Sequence, residues 1–133
     1  MNKRGFTLIE LLVTIALLSI IAIISFVSIN KIIEKSKVND CEILVNNIKN
    51  AASEYVSDNR YKSSFVSSVT NYTLTINAST LVNGNYLKGQ IIDPFSKNEI
   101  MASDIMINLY LNNDYTLDSA EISEPAVLTN CEG

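Results

Sequence analysis

The sequence predicts an α+β fold: a long N-terminal α-helix, transmembrane in its first half and amphipathic in its second, packed against a small antiparallel β-sheet head. Three observations predict it. From Phe6 to Ile29 the only charged residue is Glu10. From Ile29 to Tyr55 apolar residues recur mostly every three or four positions, with polar side chains between them. Beyond Asn59 the period shortens to two in several stretches rich in β-formers, separated by Asn, Ser and Thr.

The apolar run comes first. As a helix, Phe6 to Ile29 is about 36 Å long at roughly 1.5 Å per residue, enough to cross a hydrocarbon core of about 30 Å. Its flanks carry Lys3 and Arg4 on one side and Lys31, Lys35 and Lys37 on the other, so charge alone does not orient it. What remains from Asn30 onward is too small to bury a sizeable core on its own, so an attached helix helps it.

Composition removes several function classes. There is no His in the 133 residues, which excludes the usual general base and the commonest metal ligand. Cys41 and Cys131 are far apart and form no CxxC redox motif. The net charge is −4, and after Lys62 eight acids face only Lys88 and Lys97. An acidic outer half repels a phosphate backbone, so direct nucleic-acid binding is disfavoured. No catalytic constellation, cofactor motif or metal-ligand spacing stands out, and the chain reads as a non-enzyme.

The N-terminus is the most specific part. Met1-Asn2-Lys3-Arg4-Gly5 is a short basic stretch followed at once by Phe6-Thr7-Leu8-Ile9-Glu10-Leu11-Leu12. A secretory signal has an apolar region of about 7–15 residues and then a small-residue cleavage site. This run is longer and no such site follows it. On residue chemistry alone the reading is a signal anchor holding a small external domain. The hexapeptide Gly5-Phe6-Thr7-Leu8-Ile9-Glu10, however, resembles the processing site of type IV prepilins and type II secretion pseudopilins. The resemblance covers the leader and about twenty-five residues after it; the head matches only loosely, through Leu81–Leu87 before Asp93-Pro94-Phe95.

That resemblance implies residues 1–5 as a leader peptide, 6–29 as the transmembrane and filament-core helix, and 30–133 as a globular head that includes the amphipathic half of the helix. It implies cleavage by a prepilin peptidase between Gly5 and Phe6 and N-methylation of Phe6. It implies other pilin subunits, the pilus assembly machinery and the membrane as partners. A carboxylate within a membrane helix costs about 2.5–3.5 kcal/mol on insertion scales and marks function. Glu10 lies one turn from the amine that cleavage would expose, where the helix dipole favours negative charge. In the resembled family this residue pairs with the amine of a neighbouring subunit during assembly; the alternative is a carboxylate snorkelling to the membrane surface. One departure stands out. Many relatives carry a proline where this chain has Val27, so any bend here falls to back-bonding by Ser25 and Ser28.

Past the membrane, Ile29, Ile33, Val38, Cys41, Val45, Ile48, Ala52 and Tyr55 form one stripe, widened by Leu44 and Val56. Lys31, Glu34, Lys35, Lys37, Asp40 and Glu42 form a solvated collar. Asp58-Asn59 predicts the stop, giving a helix of about 80 Å. Tyr72–Ile76 alternates as a strand. Ser79 or Thr80 is expected to cap a short helix ended by Gly84, and Asp93-Pro94-Phe95 forms a turn. Ile105–Leu111 and Tyr115–Leu117 are expected as strands flanking the hairpin turn Asn112-Asn113-Asp114. No aromatic cluster or basic patch stands out on the head.

Three side-chain sets remain. A Cys41–Cys131 bridge would staple the tail to the helix and contribute about 4–5 kcal/mol by loop closure; the extracytoplasmic head that the resemblance implies permits it. The alternative is two free thiols. Asp114, Asp118, Glu121 and Glu124 lack the glycine-turn ligand pattern of a calcium loop and read as a solvated acidic surface. Asn71-Tyr72-Thr73 and Asn77-Ala78-Ser79 fit the glycosylation acceptor pattern, which arises often by chance in such segments.

The expected function is a structural subunit of a type IV pilus-like filament, first a single-pass membrane protein and then part of an extracellular filament on a bacterial surface. The alternatives are a minor pilin or pseudopilin serving adhesion, secretion or DNA uptake, and a simple membrane-anchored binding protein.

Overall fold

The computed structural model describes residues 5–129 and 131. The chain divides into two compact units, one up to Ser36 and the other from Lys37. Helix α1 (Leu8–Asn59) contributes to both. It is followed by α2 (Ser63–Ser68), β1 (Thr73–Asn77), α3 (Ala78–Asn83), β2 (Ile91–Ile92), β3 (Glu99–Ile100), a 3₁₀ turn at Ala102–Asp104, β4 (Met106–Leu111), β5 (Leu117–Glu124) and α4 (Ala126–Thr129). A long helix apolar enough to span a membrane, with a small antiparallel sheet, is the α+β class that the patterning predicts and the pilin-like arrangement that the resemblance implies.

The first unit is helix with its apolar side chains uncovered. Leu12, Ile15, Leu18, Ile21 and Ile24 are all more than half exposed, on every side of the helix. An apolar surface of that extent needs a bilayer or other helices around it. Three hydroxyls within it are satisfied locally: Thr14, Ser19 and Ser28 donate to the carbonyls of Glu10, Ile15 and Ile24 at 2.7, 2.8 and 3.1 Å. In an apolar medium this removes the cost of an unpaired donor. The helix runs through Val27 without interruption.

In the second unit, one face of α1 supplies a third of the buried apolar residues. Cys41, Val45, Ile48, Ala52 and Val56 are buried at steps of three and four, and Ala51 joins them. Opposite stands a three-stranded sheet in the order β1-β4-β5, antiparallel throughout. Alternation decides which side chains turn inward: Leu74 and Ile76 from β1, Ile107, Leu109 and Leu111 from β4, and Ile122 from β5. Ile105, Leu81, Phe65 and Leu128 complete one hydrophobic cluster. Each such side chain, fully buried, contributes about 1.5–3 kcal/mol. On the outer face, Thr75 donates to Asn108 across the β1–β4 pair at 2.8 Å.

Several local elements differ from the sequence reading. The cap of α3 is Asn77, whose side chain accepts from Thr80 N–H at 3.2 Å, rather than Ser79 or Thr80. The amide oxygen also gathers the hydroxyls of Ser79 and Thr80, so both are guests of the cap. β5 runs to Glu124, well past Leu117, because bulges beside Tyr110 and Met106 hide its alternation. The β2–β3 hairpin, Ile91↔Ile100, closes over the buried Asp93. Its carboxylate accepts from Phe95 N–H at 2.8 Å and Ser96 hydroxyl at 2.7 Å, which holds the Asp93 carboxyl below the usual range, the Ser96 bond being the largest cause.

Cys41 and Cys131, 90 positions apart in sequence, form a disulfide with their Cα atoms 5.6 Å apart. It ties the end of the chain to α1 beside the buried Leu128.

Two turns are conformationally costly. Thr70 and Thr73 exchange both backbone hydrogen bonds at 3.0 and 2.9 Å around Asn71-Tyr72, whose φ values are +51° and +58°. This is a two-residue hairpin turn of the kind that favours Asn-Gly, with tyrosine in the glycine place. The β4–β5 turn repeats the device: Asn112 N–H donates to Thr116 at 2.8 Å and Tyr115 has φ +61°. A left-handed residue other than glycine costs about 1–2 kcal/mol.

Candidate functional site

The N-terminal segment is built around the first turn of α1. Thr7 precedes the first helical residue and Glu10 lies three positions on. Thr7 N–H donates to Glu10 Oε2 at 3.1 Å, and Glu10 N–H donates to Thr7 Oγ1 at 3.3 Å. This reciprocal pair is a capping box, which satisfies two of the donors that a helix start leaves open. Thr-x-x-Glu before an apolar run is the sequence signature of such a cap, which Glu10 forms whatever partner its charge takes.

The residues around the pair are open. Phe6 is 92% exposed. A methyl group built on Gly5 meets no atom within 4 Å, so the folded chain itself places no demand for glycine there. Phe6, Ile9, Glu10, Val13 and Thr14 line a shallow hollow of about 400 Å³, so the carboxylate faces an apolar surface. Residues 1–4 of the expected leader lie outside the described residues.

Residues 1–26 match the family model of the prokaryotic N-terminal methylation motif. That motif is the hallmark of type IV pilins and pseudopilins. The chain carries a pilin-type N-terminus. No curated protein and no solved structure matches it. The pilin-type motif covers Gly5, Phe6, Thr7 and Glu10 and the most apolar part of α1, and it points to a structural rather than an enzymatic protein.

In the head, two constellations emerge that the sequence reading did not find. The first ties α1 to the segment after α3. Tyr86 Oη donates to Asp58 Oδ2 at 2.9 Å, and Asn59 Nδ2 donates to Tyr86 Oη at 3.5 Å. The bond to Asp58 pushes the Tyr86 phenol above its ordinary value. Tyr55 stands edge-on to both Phe65 and Tyr86, with ring centroids 6.0 and 5.8 Å away.

The second is an aromatic cluster, where the sequence reading saw none. Tyr72 and Tyr115 lie 43 residues apart in sequence, yet their ring centroids are 5.9 Å apart at 48°. Tyr72 O accepts from Leu111 N–H at 2.8 Å, which fixes the two turns side by side. Nearby, Arg60 lies over the Tyr61 ring, 4.5 Å from its centroid. Asp114 is held low by the Thr116 hydroxyl, then by Thr116 N–H, with the Arg60 charge assisting. The signal available in sequence was a tyrosine following Asn or Asp in each of two turns, which periodicity does not weigh.

Of the acids Asp114, Asp118, Glu121 and Glu124, two have separate partners: Asp114 accepts from Thr116, and Glu121 accepts from the Tyr110 hydroxyl at 3.3 Å. Among the described residues, no three of His, Cys, Asp and Glu gather in a metal-holding group.

Proposed function

We propose that this chain is a structural subunit of a type IV pilus-like filament, cut by a prepilin peptidase between Gly5 and Phe6, methylated at Phe6, and assembled through its apolar helix. The observation that carries the reading is the methylation motif over residues 1–26 on a helix whose apolar side chains have no cover within the chain. Lipid covers them in the precursor, and helices of neighbouring subunits cover them in the filament. Residues 1–5 are then leader, 6–29 filament core, and 30–133 head. An open Gly5 suits a peptidase, since nothing in the fold asks for glycine there. Glu10 is held on its own helix start by Thr7, and assembly adds the amine of a neighbour to that carboxylate.

The experiment is the intact mass of the protein from a membrane fraction and from sheared surface filaments. A mass beginning at Phe6 with one added methyl, in the sheared fraction, supports processing and assembly together. A chain beginning at Met1 and confined to the membrane, in a strain that has the peptidase, refutes the reading in favour of a plain anchor. A second reading, a minor subunit with a binding head, is favoured by the strained tyrosine pair.

A further inference from the structure

The tyrosine pair calls for an account of its own. Both Tyr72 and Tyr115 occupy left-handed positions that glycine or asparagine fills with less strain. The tyrosines bring a pair of rings into contact across two separate turns, with Tyr115 half-buried against the core cluster and Tyr72, which leans on it, still 46% exposed. At Tyr72, strain retained under an exposed ring points to use of the side chain itself.

The surroundings specify the chemistry. In the same turn as Tyr115, Leu111, Asn112, Asn113, Asp114 and Thr116 line an open hollow of about 500 Å³, which neither ring lines. Its polar groups are amides, a hydroxyl and one carboxylate. Asn112 and Asp114 are already oriented by bonds with Thr116, whereas the side-chain amides of Asn71 and Asn113 make no bond among the described residues. Uncharged donors and acceptors next to exposed aromatic faces suit a ligand with hydroxyls on its edges and C–H groups on its faces. The local charge is one Arg60 against one Asp114, and the head beyond Lys62 is acidic, so nothing concentrates an anionic polymer here.

We propose that the Tyr72–Tyr115 pair and the adjoining Asn112–Thr116 hollow form a binding platform for neutral oligosaccharides. A pyranose ring lies against the tyrosine faces, and its hydroxyls exchange hydrogen bonds with Asn71, Asn113 and Asp114. This goes beyond filament assembly and does not depend on it.

The test uses the full chain in a zwitterionic detergent, since glycoside detergents would offer sugars of their own. An array of neutral oligosaccharides built from glucose, mannose, galactose and N-acetylglucosamine is printed beside sulfated and sialylated ones and single-stranded DNA. Neutral glycans that bind are titrated by tyrosine emission, which no tryptophan obscures in this chain. Wild type is expected to bind one or more neutral glycans, and Tyr72→Gly and Tyr115→Gly to weaken that binding at least about tenfold, as loss of a stacking face should. Tyr72→Gly is expected to keep or raise Tm, because it relieves a left-handed tyrosine, whereas Tyr115→Gly also removes a ring packed against the core and is expected to lower Tm, so its binding is read below its own melting transition. Tyr72→Phe and Tyr115→Phe should bind within about threefold of wild type, since the ring face remains. Should Tyr72→Gly fail to fold, Tyr72→Asn tests the same ring, as Asn also adopts positive φ. Absence of neutral-glycan binding, binding confined to the anionic probes, or glycine variants that bind as wild type does would each overturn the proposal.

Discussion

Thr7 and Glu10 hold each other at the start of α1: Thr7 N–H reaches Glu10 Oε2 at 3.1 Å, and Glu10 N–H reaches Thr7 Oγ1 at 3.3 Å. Glu10 therefore has two separable properties, a charge that a neighbouring subunit can use and a cap that its own helix uses. Glu10→Ala removes both. It is expected to insert in the membrane normally, because removal of a carboxylate from an apolar run lowers the insertion cost, and to lose sheared filaments. Thr7→Val removes only the hydroxyl half of the cap, worth about 0.5–2 kcal/mol of helix start. It should keep a reduced filament yield. Quantifying membrane and sheared fractions by immunoblot separates the two. Normal filaments from Glu10→Ala would remove Glu10 from the assembly step.

The disulfide anchors the chain end across 90 residues of sequence. Closing a loop of that size restricts the unfolded chain by about 4–5 kcal/mol in the entropic model. Cys131→Ser leaves the buried Cys41 position unchanged and tests the link alone. Its Tm is expected to fall, and wild type in reductant should fall to the same value. A Tm that does not move in either case would show that the packing of Leu128, fully buried in the cluster, holds the tail by itself.

How far these features were legible follows from the kind of signal each one leaves. The membrane half of α1 is a matter of composition, and the stripe from Cys41 to Val56 is a matter of period, so both could be read directly. The motif at Gly5–Glu10 was legible because charge is rare in such a run. Turn chemistry was less legible: Asn77 as cap, with Ser79 and Thr80 competing for the same oxygen, is decided by geometry at one atom. The bulges of β5 broke the alternation that would have announced it. The contact of the tyrosine pair was not legible from the two turns alone, because only the register of β1 on β4, Thr73↔Tyr110, brings Tyr72 to the β4–β5 turn.

Asp93 gives an acid-side prediction. Its carboxyl is held below the unfolded value of 3.8, chiefly by the Ser96 hydroxyl and then by the N–H groups of Phe95 and Ser96. In the interval between the two values the unfolded chain binds more protons, so stability rises with pH there. The contribution is complete above 3.8 and disappears as pH falls through the lower folded value. Asp93→Asn should lower Tm near neutral pH and flatten the fall in Tm between about pH 2 and 5. An acid limb identical to wild type would show that other carboxylates carry it.

The Tyr86–Asp58 bond predicts the opposite limb. The phenol is raised from 10.0, first by donating to Asp58 and then by desolvation and the Asp58 charge. A raised folded value means that the native state binds more protons once the unfolded chain begins to lose them. The stabilisation is therefore complete below 10.0 and is lost as pH rises through the higher folded value. Tyr86→Phe should lower Tm at neutral pH and weaken the alkaline fall. Gly84 offers an independent route to the same bond. A methyl group there would lie 2.6 and 2.7 Å from Tyr86 Cε2 and Cδ2, so Gly84→Ala must push the ring aside. Overpacking of this kind costs about 1–3 kcal/mol. If the ring moves, the Asp58 bond goes with it, and Gly84→Ala should share the weakened alkaline limb of Tyr86→Phe; the double variant should add no further change in that limb. A Gly84→Ala protein with a wild-type alkaline titration, measured by tyrosine absorbance and Tm against pH, would mean that the ring absorbs the methyl without releasing Asp58.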